Sequence, residues 1–137
     1  MAKYVFPAVF TPEKNGAYSV RFPDVSGCYT SGETLPEAIE MAEDALCLML
    51  YDLEEGGNSL PAPSEITMVP KEPHEIVSLI ACDTLEYRKQ YDNKAVKKTL
   101  SIPAWLNTMA EKQGVNFSQV LQAGLKQAVH IDESSRL

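Results

Sequence analysis

The side chains best suited to bind a metal or to act as a nucleophile are few and far apart. The chain of 137 residues has three cysteines, Cys28, Cys47 and Cys82, and two histidines, His74 and His130. The cysteines are odd in number, widely spaced and set among apolar residues, which favours neither a disulfide framework nor a zinc site. We therefore predict three reduced thiols and two surface histidines, with no metal and no cofactor.

Carboxylates are more numerous, and a nuclease that uses two divalent metals would need several of them to converge. The candidates by composition are Asp24, Glu43, Asp44 and Asp83. Nothing in their spacing forces them together, because Asp24 follows a proline in a loop and the pair at 43–44 lies on or near the solvent side of a predicted helix. Solvated acidic side chains explain the pattern better. We predict that the protein is not an enzyme.

Charge is divided unevenly along the chain, whose formal net charge is −7. Residues 1–93 contain six basic and sixteen acidic side chains, a net charge of −10, whereas residues 94–137 contain six basic and three acidic ones, a net charge of +3. The first part would repel a polyanion and suits a basic protein partner. The second part can attract nucleic acid, since phosphate neutralisation by Lys and Arg dominates that affinity.

The spacing of apolar residues predicts the elements that position these side chains. Two aromatic and β-branched runs flank the turn-forming residues 11–16 and predict a hairpin, and residues 28–33 predict a third, short strand. Thr34 and Glu37 fit a capping box ahead of a helical apolar stripe. The glycine pair at 56–57 ends that helix.

A proline-rich loop and a last strand complete the first domain. Residues 58–73 contain four prolines and predict an extended loop. Residues 75–82 are nearly all apolar, the pattern of a strand in the interior of a sheet. The expected domain has the order β-β-β-α-β, with one helix on one face of a small mixed sheet.

Residues 94–137 predict a smaller unit that cannot be stable alone. Residues 96–103 alternate polar and apolar and end at a proline, as a short strand does, and a helix follows over 104–112. Gly114 terminates it, and a second helix begins near Ser118. Such a unit can neither bury an adequate core nor pair its single strand. We therefore predict a two-fold dimer with a two-stranded ribbon over four helices.

The predicted domains are residues 1–84, a polar linker over 85–93 that can have some helical content of its own, and residues 94–137. The first residues, MAKYVFPAVF, lack the features of a signal peptide, and the chain contains no run of eighteen apolar residues. We therefore expect a cytoplasmic protein that does not associate with a membrane.

The first domain resembles the HicB antitoxin family over residues 3 to about 55 and on through the strand at 75–82. The resemblance rests on YVFPAVFTPEKNGAYSVRFPDVSGCYTSGETLPEAIEMAEDAL, with a hairpin, FPD, a glycine and a TSGET turn leading into the helix. It implies an α+β, partial ribonuclease H-like fold. It also implies a partner, a HicA toxin, which is a small basic mRNA-cleaving ribonuclease that the antitoxin covers. A further implication is repression of the operon promoter.

The second domain, through KKTLSIPAWLNTMAEKQGVNFSQVLQAGLKQAV, resembles the ribbon-helix-helix (β-α-α) repressors. That resemblance implies that the dimer sets its ribbon in the major groove of operator DNA, where alternate side chains reach base edges. The residues implied to contact bases are Lys97, Thr99 and Ser101. Those implied to contact phosphates, at the start of the second helix, are Asn116, Phe117 and Ser118. Two alternatives to these roles remain open. Thr99 and Ser101 can be ordinary exposed strand residues, and Ser118 can be a helix cap.

Exposed positions of the second and third strands and the following turn are the candidates for contact with the toxin. They are Arg21, Asp24, Tyr29, Ser31 and Glu33. Each of them can equally be plain surface, and Tyr29 can be core.

The functional expectation is an antitoxin and autorepressor that forms at least a dimer, with a tetramer through contacts of the first domain as the next assembly. The alternatives are a stand-alone ribbon-helix-helix regulator with a ligand-sensing first domain and a metal-dependent nuclease.

Overall fold

The computed structural model describes residues 2–131 and contains two compact units. The first unit ends at Ala95 and the second begins at Val96. The last part of the predicted second domain, residues 132–137, lies outside the described residues. Among residues 2–131, no helix combines the length and the apolar composition that a membrane crossing requires.

A four-stranded antiparallel sheet is the framework of the first unit. The strands lie in the order β3-β2-β1-β4, with bounds β1 Lys3–Pro12, β2 Tyr18–Arg21, β3 Tyr29–Gly32 and β4 Ile76–Asp83. The hairpin is confirmed and the third strand is present. The expectation of a mixed sheet was wrong, because β4 returns beside β1 in the opposite direction and every pairing is antiparallel.

The interior position expected for the last strand belongs to β1. β1 pairs with both β2 and β4, and its residues Phe6–Phe10 are all buried. Among the described residues β4 pairs with β1 alone, so it lies at the edge of the sheet, and Ile76 and Leu79 are exposed. The prediction of an interior strand was therefore wrong. An apolar run does not reveal how many neighbours a strand has.

One helix, α1 (Leu35–Glu55), covers one face of this sheet. Thr34 caps the helix as predicted, because its side-chain oxygen accepts a hydrogen bond from the amide of Glu37. The helix ends ahead of Gly57, whose φ of 66° is a left-handed conformation that favours glycine. The core between helix and sheet includes Ala38, Ala42, Leu46 and Leu50 from α1 and Phe6, Phe10, Val20 and Ile80 from the strands.

Gly32 lets the end of β3 approach the first turn of α1. A Cβ atom at this position would overlap the backbone of Ala38. Backbone atoms cannot move aside as the end of a side chain can, so this close approach requires glycine.

The segment predicted as a linker, residues 85–93, is largely helical and belongs to the first unit. Helix α2 spans Thr84–Tyr91. Its first turn is capped by Asp83, whose Oδ1 accepts hydrogen bonds from the amides of Leu85 and Glu86. An ordered helix, rather than a linker, therefore continues directly from β4.

Ionic and hydrogen-bonded groups fasten α2 to the end of α1. Arg88 forms ion pairs with Glu54, at 3.1 Å, and with Glu55. Oε2 of Glu54 accepts hydrogen bonds from the hydroxyls of Tyr4 at 2.8 Å and Thr84 at 2.9 Å. Burial alone would raise the pKa of Glu54, but hydrogen bonds that include those from Tyr4, Arg88 and Thr84 lower it to about 2. These contacts explain why the polar segment is ordered.

The second unit contains two helices, α3 (Ala104–Lys112) and α4 (Phe117–Ala128), at the predicted positions. The cap of α4 is Asn116 rather than Ser118, because Oδ1 of Asn116 accepts a hydrogen bond from the amide of Gln119 at 3.1 Å. The strand predicted over 96–103 does not form within the single chain. A strand needs a neighbour for its hydrogen bonds, and residues 96–131 contain no other strand.

Candidate functional site

The sheet face turned away from α1 brings together three of the residues predicted to contact a partner. Arg21 is on this face, because its neighbours Val20 and Phe22 are part of the core. Tyr29 lies opposite Arg21 in the β2–β3 register, and Ser31 shares its face by strand alternation. Tyr29 is 72% exposed, which rules out the core position that its residue type left open.

Arg21 is held on this face by a buried carboxylate. Its guanidinium contacts both oxygens of Glu75, at 2.7 and 3.1 Å, and the side chain of Glu75 is only 6% exposed. The hydroxyl of Thr11 and the amide of Glu72 also donate to Glu75, at 2.5 and 2.8 Å. The ion pair with Arg21 and these hydrogen bonds lower the pKa of Glu75 far below its usual range. The network therefore fixes Arg21 and joins the proline-rich segment to the sheet.

The other two predicted contact residues lie outside the strands. Both oxygens of Asp24 accept hydrogen bonds from Ser64, one from its amide at 2.8 Å and one from its hydroxyl at 2.5 Å. Asp24 thus ties the β2–β3 loop to the proline-rich segment. Glu33 follows β3 and is exposed.

The same face also carries an exposed apolar strip that the sequence did not predict. It consists of Val5, Leu79 and Ala81, and we refer to it as the outer strip. Val5 is 47% and Leu79 52% exposed, and Val5 lies directly opposite Ala81 in the β1–β4 register. The signal of this face is the period of two along β4, which places Leu79 and Ala81 on the face opposite Ile80, but assigning β4 to the sheet interior obscured it.

Three of the four carboxylates considered as metal ligands line one groove. Glu43, Asp44 and Asp83 lie along a shallow groove of about 300 Å³ between α1, β4 and α2, whereas Asp24 is engaged with Ser64. Asp83 also caps α2. Within residues 2–131, no three Asp, Glu, His or Cys side chains are grouped in a way that could hold a metal ion.

The three cysteines are free thiols, as predicted. Burial raises the pKa of Cys28 to about 11. A hydrogen bond with Cys47, together with burial, raises the pKa of Cys82 well above its usual range. The thiols of Cys28 and Cys82 are therefore protonated at neutral pH and poorly nucleophilic.

The residues predicted to contact DNA all lie in the second unit. Lys97, Thr99 and Ser101 are exposed and precede α3 in a segment without regular secondary structure. Phe117 and Ser118 occupy the first turn of α4, where the Ser118 hydroxyl accepts a hydrogen bond from the side chain of Gln122 at 3.2 Å. The first amides of any helix lack partners within the helix, so this turn can hold an anion.

The second unit exposes its apolar side chains. No residue from 96 to 131 is buried. The exposed large apolar side chains are Val96, Leu100, Ile102, Trp105, Leu106, Met109, Phe117, Val120, Leu121, Leu125 and Val129. An apolar surface of this extent on two short helices lacks the cover that a stable unit requires.

The sequence and the fold of this chain are similar to those of known antitoxins. Antitoxin HicB of Escherichia coli K12 is 38% identical over 61 residues, and the match covers 44% of each chain, so this chain spans less than half of that relative. An uncharacterised protein of Haemophilus phage HP1 is 30% identical over 95 residues, 67% of this chain and 68% of its own.

Two solved structures share the fold along most of the chain. A chain of a toxin–antitoxin complex from Streptococcus pneumoniae has a TM-score of 0.59 and 28% identity, covering 92% of this chain and 99% of that one. Antitoxin HicB of Burkholderia pseudomallei has a TM-score of 0.53 and 22% identity, covering 91% and 98%, and supports the fold alone.

The sequence profile of the HicB-like antitoxins of bacterial toxin–antitoxin systems matches residues 6–124, which include most of both units. The match begins in β1 and ends within α4. The chain therefore belongs to the HicB-like antitoxin family.

Proposed function

We propose that this protein is an antitoxin that binds and neutralises a HicA-type toxin, an mRNA-cleaving ribonuclease, and represses its own operon by binding operator DNA. The observation that carries the proposal is the family match over residues 6–124, which extends across both units. The first unit, with a partial ribonuclease H-like fold, binds the toxin. The second unit is a ribbon-helix-helix domain.

Charge and the outer sheet face support the role of the first unit. Residues 1–93 have a net charge of −10, which attracts a basic ribonuclease. Arg21, Tyr29 and Ser31 share one face, and an exposed tyrosine beside an apolar strip is typical of a protein interface. Asp24 and Glu33 extend this candidate surface beyond the strands.

The apolar exposure of residues 96–131 supports dimerisation of the second unit. A second copy would cover α3 and α4 and would supply a hydrogen-bonding neighbour for residues 96–103. In that dimer Lys97, Thr99 and Ser101 contact bases. Asn116, Phe117 and Ser118 contact phosphates at the start of α4.

The toxin role is tested by co-expressing this chain with the small basic ribonuclease encoded beside its gene. Rescue of growth and co-purification are the expected results. Tyr29→Arg should weaken the complex, because it adds positive charge where a basic partner docks, and Leu48→Arg on the exposed side of α1 is the matched control. An equal loss of toxin binding in both variants would refute the assignment of the sheet face. The absence of a toxic protein encoded beside the gene would refute the antitoxin role.

The operator role is tested separately by gel shift with DNA of the chain's own promoter. Retention of promoter binding without any toxin partner would leave a stand-alone regulator whose first unit senses another ligand. Toxin binding without promoter binding would leave an antitoxin that does not repress.

A further inference from the structure

Two of the three cysteines lie side by side between the long helix and the last strand of the sheet. Cys47 belongs to α1 and Cys82 to β4. Both side chains line the shallow groove between α1, β4 and α2, and the thiol of Cys82 donates a hydrogen bond to the sulfur of Cys47. Cys28 is not one of the residues that line this groove. The fold therefore brings together one pair of thiols that are far apart in the sequence.

The surroundings of the two thiols give them different chemical roles. Cys47 is only partly buried, and its sulfur accepts hydrogen bonds from the Cys82 thiol and from the backbone amide of Asp83. These hydrogen bonds outweigh burial and the nearby carboxylates, and they lower the pKa of Cys47 below its ordinary value. Cys82 is only 3% exposed and stays protonated. Cys47 is therefore the better nucleophile, and Cys82 is the adjacent thiol that can react with an oxidised Cys47.

The charge of the groove restricts the kind of oxidant that reaches Cys47. Five carboxylates line the groove, those of Glu40, Glu43, Asp44, Asp83 and Glu86. They repel an anionic oxidant such as glutathione disulfide. Hydrogen peroxide is small and uncharged, so this repulsion does not act on it. The oxidant that suits the groove is therefore a peroxide.

We infer that Cys47 and Cys82 form a peroxide-responsive pair, in which oxidation of Cys47 produces a reversible disulfide with Cys82. In the first step the Cys47 thiolate attacks hydrogen peroxide, the O–O bond breaks, and a sulfenic acid and hydroxide form. In the second step the sulfur of Cys82 attacks that of Cys47. An S–S bond forms, the S–O bond breaks, and the oxygen leaves as water with the proton of Cys82. Overall, two thiols are oxidised and one peroxide is reduced to two waters.

The disulfide would fasten α1 to β4, the edge strand of the sheet. The covalent loop encloses residues 48–81, which include the proline-rich segment, so the bond restricts the unfolded chain. Oxidation therefore makes the first unit harder to unfold, and reduction by a dithiol reverses this. The inference goes beyond the proposed function, because it involves neither toxin binding nor operator binding and stands if either fails.

The first test treats the reduced full chain with hydrogen peroxide and then counts free thiols in denaturant. The wild-type count should fall from three to one, and dithiothreitol should restore it. Peptide mapping by mass spectrometry should find Cys47 joined to Cys82. The oxidised wild type should have a Tm higher by about 8 °C or more. The matched control, Cys28→Ala, should lose both of its thiols at the wild-type rate.

The second test separates the roles of the two thiols. Cys47→Ser should leave Cys82 reduced, whereas Cys82→Ala should stop at a sulfenic acid on Cys47, which dimedone traps. Far-UV circular dichroism verifies that the variants are folded, and the wild-type cross-link is a readout that needs no variant.

Three results would overturn the inference. One is a wild-type count that stays at three when the same peroxide oxidises a free cysteine. Another is a disulfide between two chains in place of the Cys47–Cys82 bond. The third is equal protection from oxidation by Cys28→Ala and Cys47→Ser. An unchanged Tm of the oxidised wild type would overturn the stabilising effect of the bond.

Discussion

Replacing Arg88 with alanine tests whether the contacts between α1 and α2 hold the first unit together. Arg88 is 12% exposed and Glu54 8%, and the Arg88 guanidinium lies 4.7 Å from the centre of the Tyr51 ring. Removing one partner of a buried ion pair costs about 3–5 kcal/mol. Glu54 keeps its hydrogen bonds from Tyr4 and Thr84, so we expect the lower cost of about 2 kcal/mol.

The assay is urea unfolding of the full chain, with a separate signal for each unit. All six tyrosines lie in residues 1–95, and the single tryptophan is Trp105 in the second unit. Near-ultraviolet circular dichroism of tyrosine therefore follows the first unit, and tryptophan fluorescence follows the second. In thermal unfolding followed by the same signals, a loss of about 2 kcal/mol in a domain of this size lowers Tm by about 8–16 °C. Lys89→Ala is the matched control, since Lys89 pairs with the exposed Glu86 and its replacement should lower the unfolding free energy by less than about 0.5 kcal/mol.

The difference in unfolding free energy between wild type and Arg88→Ala should become smaller as the pH falls. The folded pKa of Glu54 is about 2, below the value of about 4.3 for an unfolded chain, so its contribution is complete above that unfolded value and is lost as pH falls toward 2. Without Arg88 the pKa of Glu54 in the folded state rises. Ionised Glu54 then contributes less to the unfolding free energy, so less of it is lost at low pH. The two unfolding free energies should converge between about pH 5 and pH 2. Equal costs for Arg88→Ala and Lys89→Ala, or a difference independent of pH, would refute the reasoning.

Three further predictions concern the fold and the second unit. Gly32→Ala should lower the free energy of unfolding in urea by about 1–3 kcal/mol, because the new Cβ atom would overlap the backbone of Ala38. Ser31→Ala beside it should change this free energy little, and equal losses from the two variants would contradict the close approach. Thr34→Ala should destabilise the first unit by about 1 kcal/mol through loss of the α1 cap, and an unchanged urea midpoint would contradict this. Lys97→Ala should weaken operator binding by about 1–3 kcal/mol, or about 5- to 150-fold, and should relax the preference at one base pair, as measured by gel shift. The control, Lys112→Ala in α3, should not alter base preference.

The parts of the fold set by local chemistry were predictable from the sequence. Thr34 and the period of apolar residues define the start and length of α1, and turn residues define the hairpin of β1 and β2. Strand alternation also places Arg21 and Tyr29 on one face. These features depend on residues close together in the chain.

The parts set by distant contacts were not predictable. The edge position of β4 depends on which strand pairs with β1, and an apolar run does not encode that choice. Helix α2 has no apolar stripe, and its order comes from Arg88 and the carboxylates of α1, more than thirty residues earlier. The partner of Arg21 is Glu75, 54 residues away, and nothing near Arg21 indicates it.

The pairing of β1 with β4 also has a consequence for the order in which a ribosome makes this protein. Lys3 lies opposite Asp83, so β1 leaves the ribosome about 80 residues before its second neighbour exists. At about 5–20 residues per second that interval lasts about 4–16 s. During it β2, β3 and α1 are synthesised, but the edge of β1 that pairs with β4 has no neighbouring strand. Synthesis time, rather than the pairing step itself, therefore sets when the first unit can be completed.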